Sequence, residues 1–183
     1  MRFSRRGPGV VAKLDRVEAG VLTSVVGDLL ELLGSDEAPG SSQDPLAALV
    51  GMPTGAVDKP EDPALARLLP DAYGDDDEAA ADFRRFTESD LRAGKRANAT
   101  VVLATLAPYV DRGGKVALDR QQADAWLVCL NDLRLVLGTR LEVTEDTELE
   151  VPPDDPNAQA LLVYGWLGWL QESLLSCLSP GAR

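Results

Sequence analysis

The segment from Leu161 to Leu170 is apolar around almost the whole circumference of a helix. A helix of that kind is normally the buried centre of a bundle. Helical periodicity places Gly165 and Gly168 on one face, together with Glu172. Each glycine costs about 1 kcal/mol of helix stability relative to alanine, which close packing has to offset. The sequence therefore predicts an α-helical bundle built around a helix from about 156 to 178.

Helix-start patterns predict the other members of this bundle. Capping-box patterns begin at Asp15 and Asp119, and each has Glu or Gln three residues later. A proline follows Asp44, Asp62 and Asp155, as is typical of an N-cap before the first helical turn. We predict helices at about 16–33, 45–50, 63–69, 77–86, 87–109, 119–141 and 156–178.

The remaining segments predict loops and one small accessory element. A Gly-Pro-Gly turn at 7–9 interrupts an apolar stretch, which is compatible with a short N-terminal β-hairpin. We expect a mobile loop at 35–44 and an acidic loop at 142–155. A capping pattern at Thr87 divides two of the predicted helices. With no repeat and no linker, 1–183 is predicted to be a single all-α domain.

Composition argues against most classes of enzyme. The chain contains no histidine, which removes the usual general base near neutral pH, the Ser-His-Asp and Cys-His arrangements and His-ligated zinc. The segment Gly113-Gly114-Lys115 lacks the spacing of a P-loop, and no nucleophile elbow occurs. We therefore predict a protein that is not an enzyme and needs no cofactor or metal.

Charge and hydropathy set expectations about partners and location. The net charge of −12 repels phosphate at long range, which argues against direct binding of nucleic acid and of anionic membranes. The basic N-terminus is not followed by the apolar region of a signal peptide. The longest uncharged apolar stretch, 160–170, is too short to span a bilayer. We expect a cytoplasmic protein.

One carboxylate and two arginines occupy unusual positions. Glu172 lies on the face of the last helix that carries the glycines, and a buried carboxylate needs a partner. Arg134 and Arg140 lie at the edges of the apolar arc of helix 119–141. One hypothesis is an ion pair between Glu172 and either arginine. An equally favoured one is a surface glutamate with arginines that extend their charged ends to solvent.

A basic cluster and two tryptophans each have two interpretations. Arg92, Lys95 and Arg96 lie among acidic residues, which favours a solvated helix face with helix-spaced ion pairs. The alternative is a patch that binds an acidic partner or a phosphate. Trp166 and Trp169 favour core packing, and the alternative is a pair of binding anchors.

Three stretches of the chain are similar to a known family. They are Thr87–Arg92 with Lys95 and Arg96, Asn131–Arg140, and Tyr164–Glu172. Their order and spacing resemble the actinobacterial domain-of-unknown-function family 2017, also called AosR-like after an oxidative stress regulator, over about 15–178. The resemblance implies redox-responsive control of transcription through contact with a stress sigma factor, without a DNA-binding motif.

The cysteines depart from the pattern that the resemblance implies. The family's redox switch is a closely spaced Cys-x-x-x-Cys pair, which this sequence lacks. In an antiparallel hairpin of helices 119–141 and 156–178, Cys129 and Cys177 are offset by roughly 12 Å. A disulfide requires Cα atoms about 4.4–6.8 Å apart. We therefore expect no disulfide between Cys129 and Cys177, and their simplest interpretation is as reduced core thiols.

These observations favour a non-enzymatic regulator or adaptor that binds another protein, with a sigma factor as the partner that the resemblance implies. A homo-oligomer is also compatible with the sequence. The alternative is a sensor that binds a small anion between helices near Arg92, Arg96, Arg134 and Arg140. A third hypothesis is an enzyme that uses carboxylates alone.

Overall fold

A computed structural model describes residues 1–34, 58–72, 76–144 and 155–179, in which five α-helices pack around a small sheet. The helices are α1 (Arg16–Leu33), α2 (Pro63–Leu68), α3 (Asp77–Leu106), α4 (Arg120–Arg140) and α5 (Ala158–Leu178), and the 3₁₀ turn Ala107–Tyr109 follows α3. The strands are β1 (Arg2–Arg6), β2 (Gly9–Leu14) and β3 (Gly114–Leu118). The loop predicted at 35–44, the helix at 45–50 and most of the acidic loop at 142–155 lie outside the described residues.

The sheet corrects the all-α prediction, because the fold is mostly helical but not purely so. The N-terminal hairpin is confirmed, with β1 and β2 antiparallel. β3 then pairs antiparallel with β2 to give the order β1-β2-β3. β3 was not predicted, because a five-residue strand has a weak local pattern and its partner strand lies about a hundred residues earlier in the chain.

The helix starts are fixed by the side chains that the capping patterns predicted. Asp15 and Glu18 form a complete capping box, in which each side chain accepts the other's backbone N–H at 2.8–2.9 Å. Asp119 and Gln122 form a second one. The Asp62 carboxylate accepts two N–H groups at the start of α2. These bonds satisfy backbone donors that the first helical turn leaves unpaired.

Two predicted helix boundaries are wrong. α3 continues through Thr87, whose hydroxyl donates to the carbonyl of Phe83 at 2.8 Å and so does not cap a new helix. α5 begins at Ala158 and not at 156, because Asn157 is its N-cap. The Asp155 carboxylate accepts the N–H of Asn157 in the turn before it.

α4, and not α5, is the centre of the fold. α4 contacts α1, α2, α3 and α5 as well as β2 and β3. Trp126 of α4 is fully buried, donates its ring N–H to Thr105 at 2.9 Å and meets the Phe3 ring edge to face. α5 buries one face only, since Leu162 and Trp169 are 65% and 48% exposed. Within the described ranges no helix is long and apolar enough to cross a membrane.

Gly113 is the tightest point between the sheet and α1. Its φ is +66°, and an added Cβ would stand 2.7 Å from the carbonyl carbon of Asp15. Gly113→Ala should therefore lower the free energy of unfolding by at least about 1–3 kcal/mol, as measured by urea denaturation. The matched control is Gly20→Ala, because Gly20 lies in α1 with open space around it. This control should raise stability by about 1 kcal/mol, and equal effects of the two changes would contradict the assignment.

Candidate functional site

The basic cluster of α3 faces inward and binds the C-terminal end of α1. Arg92 donates to the carbonyl of Leu33 and to the carboxylate of Glu88, both at 2.6 Å. Arg96 donates to the carbonyls of Leu30, at 3.2 Å, and Gly34. The last carbonyls of a helix have no partners within it, and cations there are favoured by the helix dipole. The pair of Arg92 with Glu88 has the predicted helix spacing, but both arginines are partly buried and bind the end of α1, so they do not form a solvated face.

Lys95, the third member of the cluster, forms a buried ion pair. Its ammonium lies 2.6 Å from Oδ1 of Asp132 on α4, and the two side chains are 17% and 1% exposed. Oδ2 of Asp132 is buried without a hydrogen-bond partner. Burial raises the pKa of the Asp132 carboxyl, while the bond from Lys95 acts to lower it. Breaking such a pair leaves one uncompensated charge inside the protein.

Sequence reasoning missed Asp132 even though its position carried a signal. It follows Cys129 by three residues and precedes Leu133, so it lies within the buried arc of α4. A carboxylate in an apolar arc predicts a cationic partner on a neighbouring helix.

Cys129 is a core thiol, and Asp132 adds to its inertness. It is buried, and burial together with the nearby carboxylate raises the pKa of the thiol to about 12. Cys177 is partly buried, and both thiols are free. Since the thiolate is the reactive form, Cys129 is a poor target for peroxide at neutral pH.

The side chain of Arg134 packs against Gly168 of α5. Arg134 donates to Oε1 of Gln171 at 2.8 Å, and its guanidinium lies 5.3 Å from the centre of the Tyr164 ring. A Cβ on Gly168 would be 3.4 Å from Nε of Arg134, and a Cβ on Gly138 would be 3.3 Å from the Tyr164 ring. Close packing against the glycine face of α5 is confirmed at Gly168. The group that packs there is the guanidinium of Arg134 and not the backbone of a neighbouring helix.

The predicted ion pair with Glu172 is not formed. Glu172 is exposed on α5, whereas Arg134 is bound to Gln171 and Arg140 lies 2.5 Å from Oδ2 of Asp62. Burial acts to raise the pKa of Asp62, but the backbone N–H groups that it accepts and Arg140 hold that pKa below its ordinary value. Arg140 therefore ties α4 to the start of α2.

A groove of about 430 Å³ lies over the C-terminal half of α4. It is lined by Arg67, Arg134, Leu135, Gly138, Thr139, Glu142, Val143, Thr144 and Tyr164. Of the four arginines predicted to share a ligand site, Arg134 alone lines this groove. Arg67 of α2 is the second cation, and no sequence pattern distinguishes it. Within the described ranges no cluster of three or more Cys, Asp and Glu side chains is arranged to hold a metal ion.

The outer face of α5 carries two exposed apolar side chains, Leu162 and Trp169. Leu162, Gly165 and Trp169 follow helical spacing on this face, and a Cβ on Gly165 would meet nothing within 4 Å. Trp166, in contrast, packs against the core. Core packing therefore describes Trp166 and not the exposed Trp169, for which the role of binding anchor stays a prediction.

Comparison with known proteins identifies relatives along nearly the whole chain. A family model described as "Domain of unknown function (DUF2017)" matches residues 1–178. The "Oxidative stress regulator AosR" of Mycobacterium tuberculosis is 36% identical over 96% of this chain and 84% of its own length. The "Putative oxidative stress regulator AosR" of Mycobacterium leprae is 38% identical over 88% of this chain and 78% of its own. No solved structure shows a significant match.

Replacing Lys95 tests the buried ion pair. A carboxyl whose pKa is raised by folding stabilises the fold most below its ordinary pKa of 3.8, and this contribution is lost as the pH rises through the folded pKa. Lys95→Met removes the group that lowers the pKa of Asp132. We expect a loss of about 3 kcal/mol at about pH 7 that shrinks as the pH falls towards 4, measured by urea denaturation.

Two further variants separate this effect from general damage. Lys95→Met combined with Asp132→Leu should recover most of the stability, because no unpaired charge is left inside. Arg120→Met breaks the exposed pair with Asp124, and it should change stability by less than about 0.5 kcal/mol at either pH. A pH-independent loss in Lys95→Met would show that the ion pair is not its cause.

Proposed function

The chain belongs to the DUF2017 family, and from that premise we propose that it is a regulator of the oxidative stress response that works by contact with another protein and not by catalysis. The support is the likeness to two curated oxidative stress regulators, which extends over 88–96% of this chain. A match of that extent spans nearly the whole chain and not one short motif.

The outer face of α5 is the surface that we assign to this contact. Protein interfaces are enriched in tryptophan, and their central anchors carry most of the binding energy. Trp169 is half exposed beside Leu162, and Gly165 leaves open space between them. The side chain of Arg134 explains Gly168, but among the described residues no contact accounts for Gly165. A partner side chain seated against Gly165 would account for it.

We further propose that the partner is a stress sigma factor and that the outcome is control of transcription, as the family resemblance implies. The redox signal then has to arise outside Cys129, because that thiol is buried and its pKa is about 12. The partly buried Cys177, the partner or a third protein would then carry the thiol that is oxidised.

Affinity capture from the native host, with and without peroxide, tests this proposal. The chain should recover a sigma factor, and Leu162→Ala combined with Trp169→Ala should reduce that recovery by about tenfold, the loss of one anchor contact. Leu91→Ala on α3 is the matched control, since Leu91 is 41% exposed on a different face. Unchanged recovery of the sigma factor by the double variant would contradict the assignment of this surface. So would a reduced recovery that light scattering traces to self-association of the variant.

A second candidate function is the sensing of a small anion in the groove over α4. The observation that favours it is the pair of arginines, Arg67 and Arg134, in one groove of a chain with net charge −12. Arginine is well suited to carboxylate and phosphate ligands. Phosphate or citrate should then raise the Tm of the protein in a concentration-dependent way, and Arg67→Ala should abolish the rise. An unchanged Tm would exclude this function.

A further inference from the structure

Three cations lie side by side across the outer face of the sheet. In the observed register Arg2 of β1 is opposite Lys13 of β2, and Lys13 is opposite Lys115 of β3. All three side chains are exposed. Like charges directly opposite each other destabilise a sheet. Arg6 lies on the same face as Arg2, because side chains four residues apart along a strand share a face.

No carboxylate neutralises this row within the described part of the chain. Arg2, Arg6, Lys13 and Lys115 have neither an ion pair nor a hydrogen bond from their side chains there, whereas some exposed cations elsewhere do. Arg120, for example, lies 3.0 Å from a carboxylate oxygen of Asp124. The chain has thirty acidic residues against eighteen basic ones. In a chain with this excess of acidic residues, a cationic face without acidic partners among the described residues does not stabilise the fold.

We propose that this outer sheet face, the cationic row of Arg2, Arg6, Lys13 and Lys115, binds an acidic, extended segment of a partner protein. The three strands place the row across roughly 10 Å, the width of two strand spacings. Ser4, Val11 and Ala117 are the other side chains on this face, and their small size leaves it flat enough for an extended chain. Carboxylates of the segment would relieve the repulsion within the row.

A protein segment fits this face better than nucleic acid does. The only aromatic residue of the three strands, Phe3, is buried beneath the sheet, so no ring is available for base stacking. The net charge of −12 of the whole chain would also repel a long polyanion, whereas a short acidic segment would interact mainly with the cationic row. The inference rests on the proposed action through a protein partner and adds the chemistry of a second contact surface.

Fluorescence anisotropy with a short labelled oligoglutamate peptide tests the proposal, with duplex DNA and anionic phosphatidylglycerol vesicles as competing probes. The full-length protein should bind the peptide in a salt-dependent way. Lys13→Gln combined with Lys115→Gln should weaken this binding about tenfold and should also raise the Tm, because opposed like charges are removed. A merely structural role for the two lysines would lower the Tm instead.

The matched control is Lys59→Gln combined with Arg120→Gln, which changes the net charge equally at exposed cations that already have acidic partners. It should change peptide binding by less than about twofold. Absence of peptide binding, equal weakening by the control, or tighter binding of DNA or vesicles would each overturn the proposal. None of these results affects capture through α5, so failure of this face and failure of the proposed function can be told apart.

Discussion

The buried ion pair between Lys95 and Asp132 joins the two helices on which the rest of the fold is assembled. α3 and α4 are in contact along their lengths, and each binds its other neighbours through a cation. Arg92 and Arg96 of α3 hold the end of α1, Arg134 of α4 holds α5, and Arg140 holds the start of α2. Arg92, Arg96 and Arg134 are partly buried and Arg140 is half exposed, and their partners help to fix where the neighbouring helices lie.

Because these charged side chains hold helices together, other groups have to bind a partner. The cations that look available in the sequence are occupied inside the protein, and Cys129 is protected by burial and by Asp132. Among the described groups that the fold does not use are those on two surfaces, the apolar outer face of α5 and the cationic outer face of the sheet. Both are suited to contact with another macromolecule, and this agrees with membership of a family whose curated relatives are named as regulators.

Predictions succeeded where a few adjacent residues determine the structure. The capping boxes at Asp15 and Asp119, the proline after Asp62 and the N-terminal hairpin are local patterns, and the structure confirms each. They failed where a long-range contact decides. β3 exists because it pairs with β2, and Arg134 lies against α5 because Gly168 leaves room for it. The break predicted at Thr87 failed for a local reason, since its hydroxyl donates to Phe83 in the preceding turn and does not cap a helix.

The sequence by itself determined that the chain is mostly helical, where most of the described helices begin and end, and that it lacks histidine chemistry. These follow from backbone hydrogen bonding, capping and composition, which act over one or two turns. Only the tertiary structure decided which helix is central, which cations face inward and which thiol is inert. Burial and electrostatic partnership depend on distances between segments far apart in the chain, and a glutamate or an arginine has the same local pattern whether it is paired, buried or free.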